Sequence, residues 1–360
     1  MIAWELAGTI GRTVAGVGGT GVVVPPLPGD LAELGRQAQE AVVGYTGMQP
    51  QTPLPVPEDA SRGAWVDSNV GLLRGMIDPL TATIEDRTAQ LPGAVRAVAG
   101  GAVAAEIGAL MGYMGRRVLG QYEVALTTGE PPPPRLLLVG ANLRETAVRL
   151  DAPLEHLLAW VMVHEVTHAV QFSATPWLRT HLGTLVGDLL ASADGGTSVG
   201  EEDGDGRSGG GTPDLADLRA LIARARSGGL VSLVAGPGRQ ELLDRIQATM
   251  ALVEGHAEHV MDAAGAPLVP GLADLRAGLE RRRTERSPLA SLLDRVLGLE
   301  LKLRQYRDGK AFCDAVAAHE GPAGLRRAFA APELVPTSTE LADPLAWIAR
   351  TRARQLPPAA

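Results

Sequence analysis

The sequence predicts a mainly α protein with one short β element. Apolar residues recur at three- and four-residue spacing along most of the chain, which is typical of helices that bury one face. The clearest strand candidate is RLLLVGANL at 135–143, because it is short, apolar and bounded by proline and glycine. At 360 residues the chain is long enough for a large core, and we expect a single domain over 1–360.

Proline and the apolar pattern divide the rest of the chain into helices. The proline-rich segments at 48–57 and 130–134 cannot be helical, because proline lacks the backbone donor of a helical hydrogen bond. Asp151 and Pro153 suit the start of a helix, as N-cap and first-turn residue. The predicted helices cover 2–15, 64–127, 152–173, 214–226, 238–264, 270–283, 288–306 and 308–319.

One segment differs in composition from the rest. DGGTSVGEEDGDGRSGGGTP at 194–213 is glycine-rich and acidic, and it contains almost no apolar residues. Such a segment cannot bury enough surface to offset the entropy lost on ordering. We therefore expect a flexible loop inserted into the single domain.

Composition and charge exclude several classes of protein. A net charge of −8 argues against a nucleic-acid partner, which normally requires a basic surface. The lone Cys313 excludes an internal disulfide framework and suits a reducing compartment. Glu5 and Arg12 interrupt the N-terminal stretch, which lacks the layout of an export signal, and no stretch has about 18 uninterrupted apolar residues. We expect a cytoplasmic protein without a membrane span, and its oligomeric state stays open.

The strongest motif is HEVTH within VMVHEVTHAVQF at 161–172. Residues four apart on a helix lie on one face, so His164 and His168 can bind the same ion. A zinc hydrolase also needs a carboxylate that accepts a proton from the activated water, and Glu165 follows the first histidine. The motif predicts a zinc site with Glu165 as general base. The alternative is two incidental histidines on an ordinary helix.

The third ligand must come from further along the chain. The residues after His168 lack the HxxGxxH extension, and His181 lies beyond Pro176 at a spacing that matches no known ligand set. Glu254, in ALVEGHAEHVMD at 251–262, borders the apolar stripe of a predicted helix. A carboxylate in that position is costly unless it is paired or bound to metal. We therefore predict Glu254 as the third ligand; the alternative is a surface carboxylate at the helix edge.

Other polar residues on this helix receive different roles. His256 and His259 project about 200° and about 140° round an ideal helix from Glu254, so neither is expected to bind zinc. Glu258, one turn further on, is predicted to accept a hydrogen bond from a zinc-binding imidazole. HExxH followed by a helix that carries these two glutamates is the gluzincin arrangement.

Matching stretches also occur along nearly the whole chain, so that it resembles a known family. The family comprises zincin-like proteins of actinobacteria, labelled zinc-dependent metalloproteases or associated with biosynthesis of the deazaflavin coenzyme F-420. The resemblance implies a zincin-like helical core with the short β element beside the HExxH helix, and zinc as cofactor. The stretches are WELAGTIGR near the start, RRVLGQYE (116–123), LLLVGANL (136–143), HEVTHAVQF (164–172), LVEGHAEHVMD (252–262), GLELKLRQYRDGKAF (298–312) and ELVPTSTELADPLAWIAR (333–350).

The leading functional hypothesis is a zinc metallopeptidase that cleaves a peptide bond of a peptide or protein substrate. His164, His168 and Glu254 would hold the zinc, and Glu165 would act as general base. The strand at 136–142 would lie beside the site helix and bind an extended peptide by β-augmentation. Two alternatives remain: a non-catalytic zinc-binding scaffold or interaction protein, and a hydrolase of small amides.

Two residues are candidate donors to the oxyanion that forms when water attacks the carbonyl. Tyr306, in KLRQYRDGKAF, could reach the site from a helix, in a role that other zincins give to Tyr or His. Its structural alternative is a packing residue with a locally bonded hydroxyl. His256 is the rival donor, and the sequence does not choose between them.

Overall fold

The computed structural model describes residues 2–17, 25–88, 93–126, 132–194, 237–284 and 299–355. These residues form helices around one small sheet, which confirms the mainly α prediction. The strands are β1 (Pro57–Ala60), β2 (Gly120–Glu123) and β3 (Arg135–Val139). The helices are α1 (Trp4–Val14), α2 (Leu31–Thr46), α3 (Arg62–Thr88), α4 (Gly93–Gly115), α5 (Gly140–Leu150), α6 (Leu154–Ala174), α7 (Pro176–Asp194), α8 (Pro237–Ala264), α9 (Leu272–Thr284), α10 (Leu299–Ala328), α11 (Ser338–Ala342) and α12 (Pro344–Gln355), with a 3-10 turn at Pro332–Leu334.

The sheet lies between two hydrophobic cores. Its order is β1-β3-β2, with β3 parallel to β1 and antiparallel to β2. Successive side chains of a strand point to opposite faces. Leu136 and Leu138 therefore pack with α2, α6, α8 and α10, whereas Leu137 and Val139 pack with α1, α3 and α4. Burial on both faces explains why the sequence of β3 is continuously apolar.

Two predictions around the sheet are wrong. The strand predicted to reach residue 143 ends at Val139, and α5 begins at Gly140, where a Cβ atom would lie 2.5 Å from the Asp59 carboxylate. The helical pattern predicted over 64–127 corresponds to two helices, α3 and α4, but its last part is wrong, because β2 follows α4. The sequence GQYE of β2 has no apolar pattern, and its pairing with β3 makes it a strand.

Helix boundaries differ from the prediction at the start of α6. Asp151 was the predicted N-cap, but it adopts the left-handed conformation, with φ 52°, and ends α5. Aspartate tolerates this conformation better than most residues do. The N-cap position of α6 belongs to Pro153, the residue predicted in the first turn.

Further differences lie in segments that the periodicity did not resolve. Helix α2 was missed, although Asp30 is its N-cap and accepts hydrogen bonds from two backbone N–H groups. The helix predicted over 308–319 belongs to the longer α10, which breaks at Gly321 with φ 70°. The predicted helix 214–226, all but the first residue of the predicted loop 194–213, and 288–298 lie outside the described residues. The single-domain expectation stays a prediction.

Helices α8 and α10 cross at backbone contact distance. A Cβ atom on Gly255 would lie 2.1 Å from the carbonyl carbon of Gly309, and one on Gly309 would lie 1.9 Å from the carbonyl oxygen of Ala251. No side chain fits between backbones this close, so glycine is required at both positions. Because Gly255 follows Glu254, this crossing also fixes the position of the candidate ligand.

Helix α4 packs on α1 in a similar way. A Cβ atom on Gly108 or Gly112 would lie 2.5 Å from a carbonyl oxygen of α1. By length and composition the part Arg96–Gly115 is apolar enough to cross a membrane, and 22% of its apolar window is buried. The exposed Glu106 interrupts this stretch, as the sequence analysis expects. The absence of a membrane span stays a prediction.

The helix crossing predicts a stability effect at Gly309. Gly309→Ala should lower the free energy of unfolding by about 1–3 kcal/mol or more, because its Cβ atom would overlap the backbone of α8. Urea unfolding followed by circular dichroism measures this change. Gly44→Ala in α2 is the matched control, because its Cβ atom meets nothing within 4 Å. The control should be neutral or stabilising by about 0.5–1 kcal/mol. Equal stabilities of Gly309→Ala and wild type would contradict the close crossing.

Candidate metal centre

Helix α6 carries the HEVTH motif through the centre of the larger core. It packs against α2, α8 and strand β2, and most of its residues are buried. A helix that is apolar on nearly all sides is typical of such a central position. The polar side chains of the motif are therefore held in an environment with little water.

Three side chains meet at one point between α6 and α8. His164 Nε2 and His168 Nε2 are 3.1 Å apart, and they lie 3.7 and 3.6 Å from Glu254 Oε2. A tetrahedral zinc ion with nitrogen and oxygen ligands at about 2.0–2.1 Å separates its donor atoms by about 3.3 Å. The three donors therefore fit one zinc ion and leave a fourth position open. The structure brings together the three predicted ligands.

The two imidazoles share an unusual electrostatic environment. Burial and the adjacent His168 lower the pKa of His164 to about 4. Burial also disfavours the charged form of His168, but the carboxylates of Glu254 and Glu165 and the contact with Gln171 raise its pKa to about 9. Since two imidazole nitrogens 3.1 Å apart cannot both present lone pairs to each other, the site needs one proton or one cation. A metal ion can replace that proton.

Glu165 is held beside this triangle by strand β2. Its Oε2 atom accepts a hydrogen bond of 2.8 Å from the backbone N–H of Tyr122. Its side chain lies against Gly120, where a Cβ atom would be 2.8 Å from Glu165 Cγ. Burial and the Glu254 charge raise the pKa of Glu165 to about 7, although His168 and the Tyr122 N–H act in the opposite direction. A carboxylate that titrates near neutrality is suited to proton transfer.

Gln171 links the two helices that carry the candidate ligands. It is fully buried, and its Oε1 atom lies 2.9 Å from Nδ1 of His168. Its Nε2 atom lies 2.9 Å both from the carbonyl oxygen of Val253 and from Nδ1 of His256. The sequence analysis missed Gln171, although its i+3 spacing from His168 places it on the same helix face.

These hydrogen bonds determine which nitrogen of His168 carries the proton. The carbonyl oxygen of Val253 can only accept, so the Gln171 atom that faces it is the amide nitrogen. The amide oxygen therefore faces His168 and accepts from its Nδ1–H group. The lone pair of the neutral imidazole is then on Nε2, which points to Glu254 and to the zinc position.

The second nitrogen of His164 has a different neighbour. Its Nδ1 atom lies 3.0 Å from the sulfur of Met261. Glu258, the residue predicted to support a ligand imidazole, lies 3.6 Å from the guanidinium of Arg276. The atoms that meet the two Nδ1 positions therefore come from Gln171 and Met261, and the supporting role of Glu258 stays a prediction.

The two histidines that were excluded as ligands lie apart from the triangle. His256 is buried against Phe329 behind Gln171, and burial lowers its pKa to about 3, so its ring is neutral. His259 lies between Tyr45, 2.6 Å from its Nε2 atom, and Asp314, 2.7 Å from its Nδ1 atom. The preference for Glu254 over these two residues agrees with this geometry.

Neither of the two predicted oxyanion donors is seen in the cavity beside the triangle among the described residues. Tyr306 lies on α10, but its side chain is outside the described residues. His256 is not among the described residues that line the cavity beside the triangle, whereas Tyr122 is. Burial raises the pKa of Tyr122 to about 12, so its hydroxyl keeps its proton at neutral pH.

The prediction that the strand at 136–142 binds a peptide is wrong. Strand β3 is the central strand, and both its edges are paired, with β1 and with β2. Strand β2 is at the edge of the sheet and lies against α6. The sequence analysis could not identify β2 because its four residues carry no strand pattern.

A helix with HExxH, an edge strand beside it and a glutamate on a second helix define a candidate metal site of the zincin class. The chain matches the family described as Zincin-like metallopeptidase over residues 2–348, and it belongs to that family. No curated protein matches the chain. The actinobacterial grouping and the coenzyme F-420 label belong only to the resemblance, and no step in coenzyme synthesis is inferred from them.

A solved structure from Chloroflexus aurantiacus is also similar to this chain. It is described as "a putative hydrolase with a novel fold". The two chains are 26% identical, with a TM-score of 0.66, and the match covers 98% of this chain and 99% of that one. The similarity in fold therefore extends over nearly the whole length of both chains.

Zinc affinity should depend on pH because the metal must displace a proton. His168 is protonated below about pH 9 in the metal-free protein, whereas only its neutral form binds zinc. The apparent affinity should therefore rise about tenfold per pH unit between about pH 5 and pH 8. Competition with a chelator at several pH values measures this slope. An affinity that does not change with pH would contradict the shared proton.

Loss of Gln171 should weaken zinc binding without abolishing it. Gln171→Ala removes the acceptor that orients His168, and such losses typically cost about 10–100-fold in metal affinity. Glu254→Ala removes a proposed ligand and should cost more. Gln240→Ala, at an exposed position on α8, is the control and should bind zinc as the wild type does. Chelator competition ranks the variants, and an unchanged affinity in Gln171→Ala would exclude the orienting role.

Proposed function

We propose that this protein is a zinc-dependent metallopeptidase. The observation that carries the proposal is the triangle of His164, His168 and Glu254, with Glu165 held beside it by the edge strand. Membership of the zincin-like family and the hydrolase description of the similar structure support hydrolysis as the reaction class.

The residues of the site suit hydrolysis of an amide bond. Zinc, when bound, supplies a Lewis acid that lowers the pKa of a water molecule and polarises a carbonyl group. Glu165, with its pKa near 7, accepts the proton of the attacking water and passes it to the leaving amine. The hydrogen bond from Tyr122 N–H holds the carboxylate in place while its second oxygen receives the proton.

Strand β2 is the proposed position for a peptide substrate. Its outer edge is unpaired among the described strands, and an extended peptide can add to such an edge through backbone hydrogen bonds. The strand also holds Glu165, so a peptide bound along it would lie next to the general base. This arrangement favours a peptide over a small amide, which needs no strand to bind.

The non-catalytic scaffold remains the alternative from a different class. It requires zinc binding but no function for Glu165. The raised pKa of this residue and its placement against Gly120 favour catalysis, because a scaffold gains nothing from a buried carboxylate beside two other charged groups.

Exchange of Glu165 separates catalysis from metal binding. Glu165→Gln keeps the shape of the side chain but removes its basicity, so turnover should fall by about 10²–10⁴-fold with the zinc content unchanged. Metal analysis and a proteome-derived peptide library measure both quantities. Glu155→Gln, at an exposed position of the same helix, is the matched control and should retain full activity. Zinc-loaded wild type without turnover would support the scaffold instead.

We further propose Tyr122 as the donor to the oxyanion, with Tyr306 as the alternative. Tyr122→Phe should lower kcat by about 10²–10³-fold with little change in KM, because the hydroxyl would act only in the transition state. Tyr113→Phe in α4 is the control, since that ring packs under Arg117, just beyond the end of the helix. Loss of activity in Tyr306→Phe with normal activity in Tyr122→Phe would transfer the role to Tyr306.

A further inference from the structure

A cavity of about 300 Å³ opens beside His168 and Glu254. Five parts of the chain form it: helix α3, strand β2 with the residues that follow it, helix α7, and the ligand-bearing helices α6 and α8. Its wall is mainly apolar and includes Leu72, Leu73, Met76, Phe172, Leu182 and Met250.

Helix α3 lines this cavity along a single face. Leu72 and Leu73 lie three and four residues after Asn69, and Met76 lies four and three residues after them, so the four side chains form one stripe on the helix. Leu72, Leu73 and Met76 are partly exposed, although they lie within a long helix beside the core. Such a stripe turned towards a cavity leaves apolar surface for a ligand to cover.

The side-chain amides of the wall are already paired. The amides of Asn69 and Gln121 bond to each other, at 3.1 and 3.3 Å, and Asn69 also donates to the carbonyl oxygen of Trp65. The raised pKa of Tyr122 keeps its hydroxyl neutral. Among the described residues of the wall, His168 and Glu254 therefore carry the only charges, and both belong to the metal site.

We infer that this cavity is the pocket that selects the substrate, and that it binds a large apolar side chain next to the scissile bond. The inference rests on the proposed peptidase function, because it places the cleaved bond at the metal triangle. The volume lies at the lower end of ligand pockets, which fits one side chain such as that of Leu, Met or Phe. A charged side chain would lose its hydration there without gaining a partner.

Binding of three hydroxamate probes to the zinc-loaded full-length protein tests the inference without turnover. The probes are the hydroxamates of N-acetylated glycine, leucine and aspartate, which share a zinc-binding group and differ in the side chain. The leucine probe should bind roughly 10- to 100-fold more tightly than the glycine probe, because it buries about four carbon atoms. The aspartate probe should bind no better than the glycine probe. Equal affinities for the leucine and glycine probes, or no binding of any probe, would overturn the inference.

Substitutions in the α3 stripe locate the selectivity in this cavity. Leu72→Ala should enlarge the pocket and shift the preference from the leucine probe to a phenylalanine probe. Leu72→Arg should remove the preference for leucine and favour the aspartate probe. Leu345→Arg, at a 56% exposed position of α12, is the matched control and should keep the wild-type order. If neither Leu72 variant changes the order of affinities while zinc content and circular dichroism stay normal, the pocket lies elsewhere.

Failure of this inference can be distinguished from failure of the proposed function. Cleavage of a peptide library without preference for apolar residues contradicts the pocket but not the peptidase. Discrimination among the probes without cleavage of any peptide contradicts the peptidase and retains the pocket. Cleavage with Leu, Met or Phe enriched at one position next to the cleaved bond supports both.

Discussion

Gln171 donates a hydrogen bond to the carbonyl oxygen of Val253, and this bond joins α6 to α8 at the level of the candidate ligands. The same side chain accepts from His168, so the distance between the helices and the orientation of the imidazole are set together. On its far side α8 is held against α10 by the contact between Gly255 and Gly309. The metal triangle thus depends on two contacts that leave α8 little freedom to move.

Burial determines the chemistry of the centre. Four ionisable side chains lie close together, where each charge is costly unless another compensates it. The protein compensates them by pairing His168 with Glu254 and by giving Glu165 a backbone donor, which leaves Glu165 able to titrate near neutrality. The same desolvation that makes the site costly in stability therefore prepares it for proton transfer.

Spacing patterns in the sequence predicted the candidate metal centre better than the elements around it. HEVTH and the helix bearing Glu254 depend on spacing within single helices, so periodicity was enough to place three donors on converging faces. Strand β2 could not be predicted, because four residues become a strand only through pairing with β3. The hydrogen bond from Gln171 to Val253 could not be predicted either, since Val253 lies on another helix. The prediction of Asp151 as an N-cap was wrong because aspartate suits both ends of a helix. In the structure it ends α5.

The sheet that divides the two cores also divides the surroundings of the site between them. The ligand-bearing helices belong to one core, whereas α3 is anchored in the other through Trp65 and Val66. Substitutions on the face of α3 towards the cavity therefore alter a helix whose anchoring residues belong to a different core from the candidate ligands. Such a fold allows relatives to diversify in what they recognise under selection while the reactive centre stays the same.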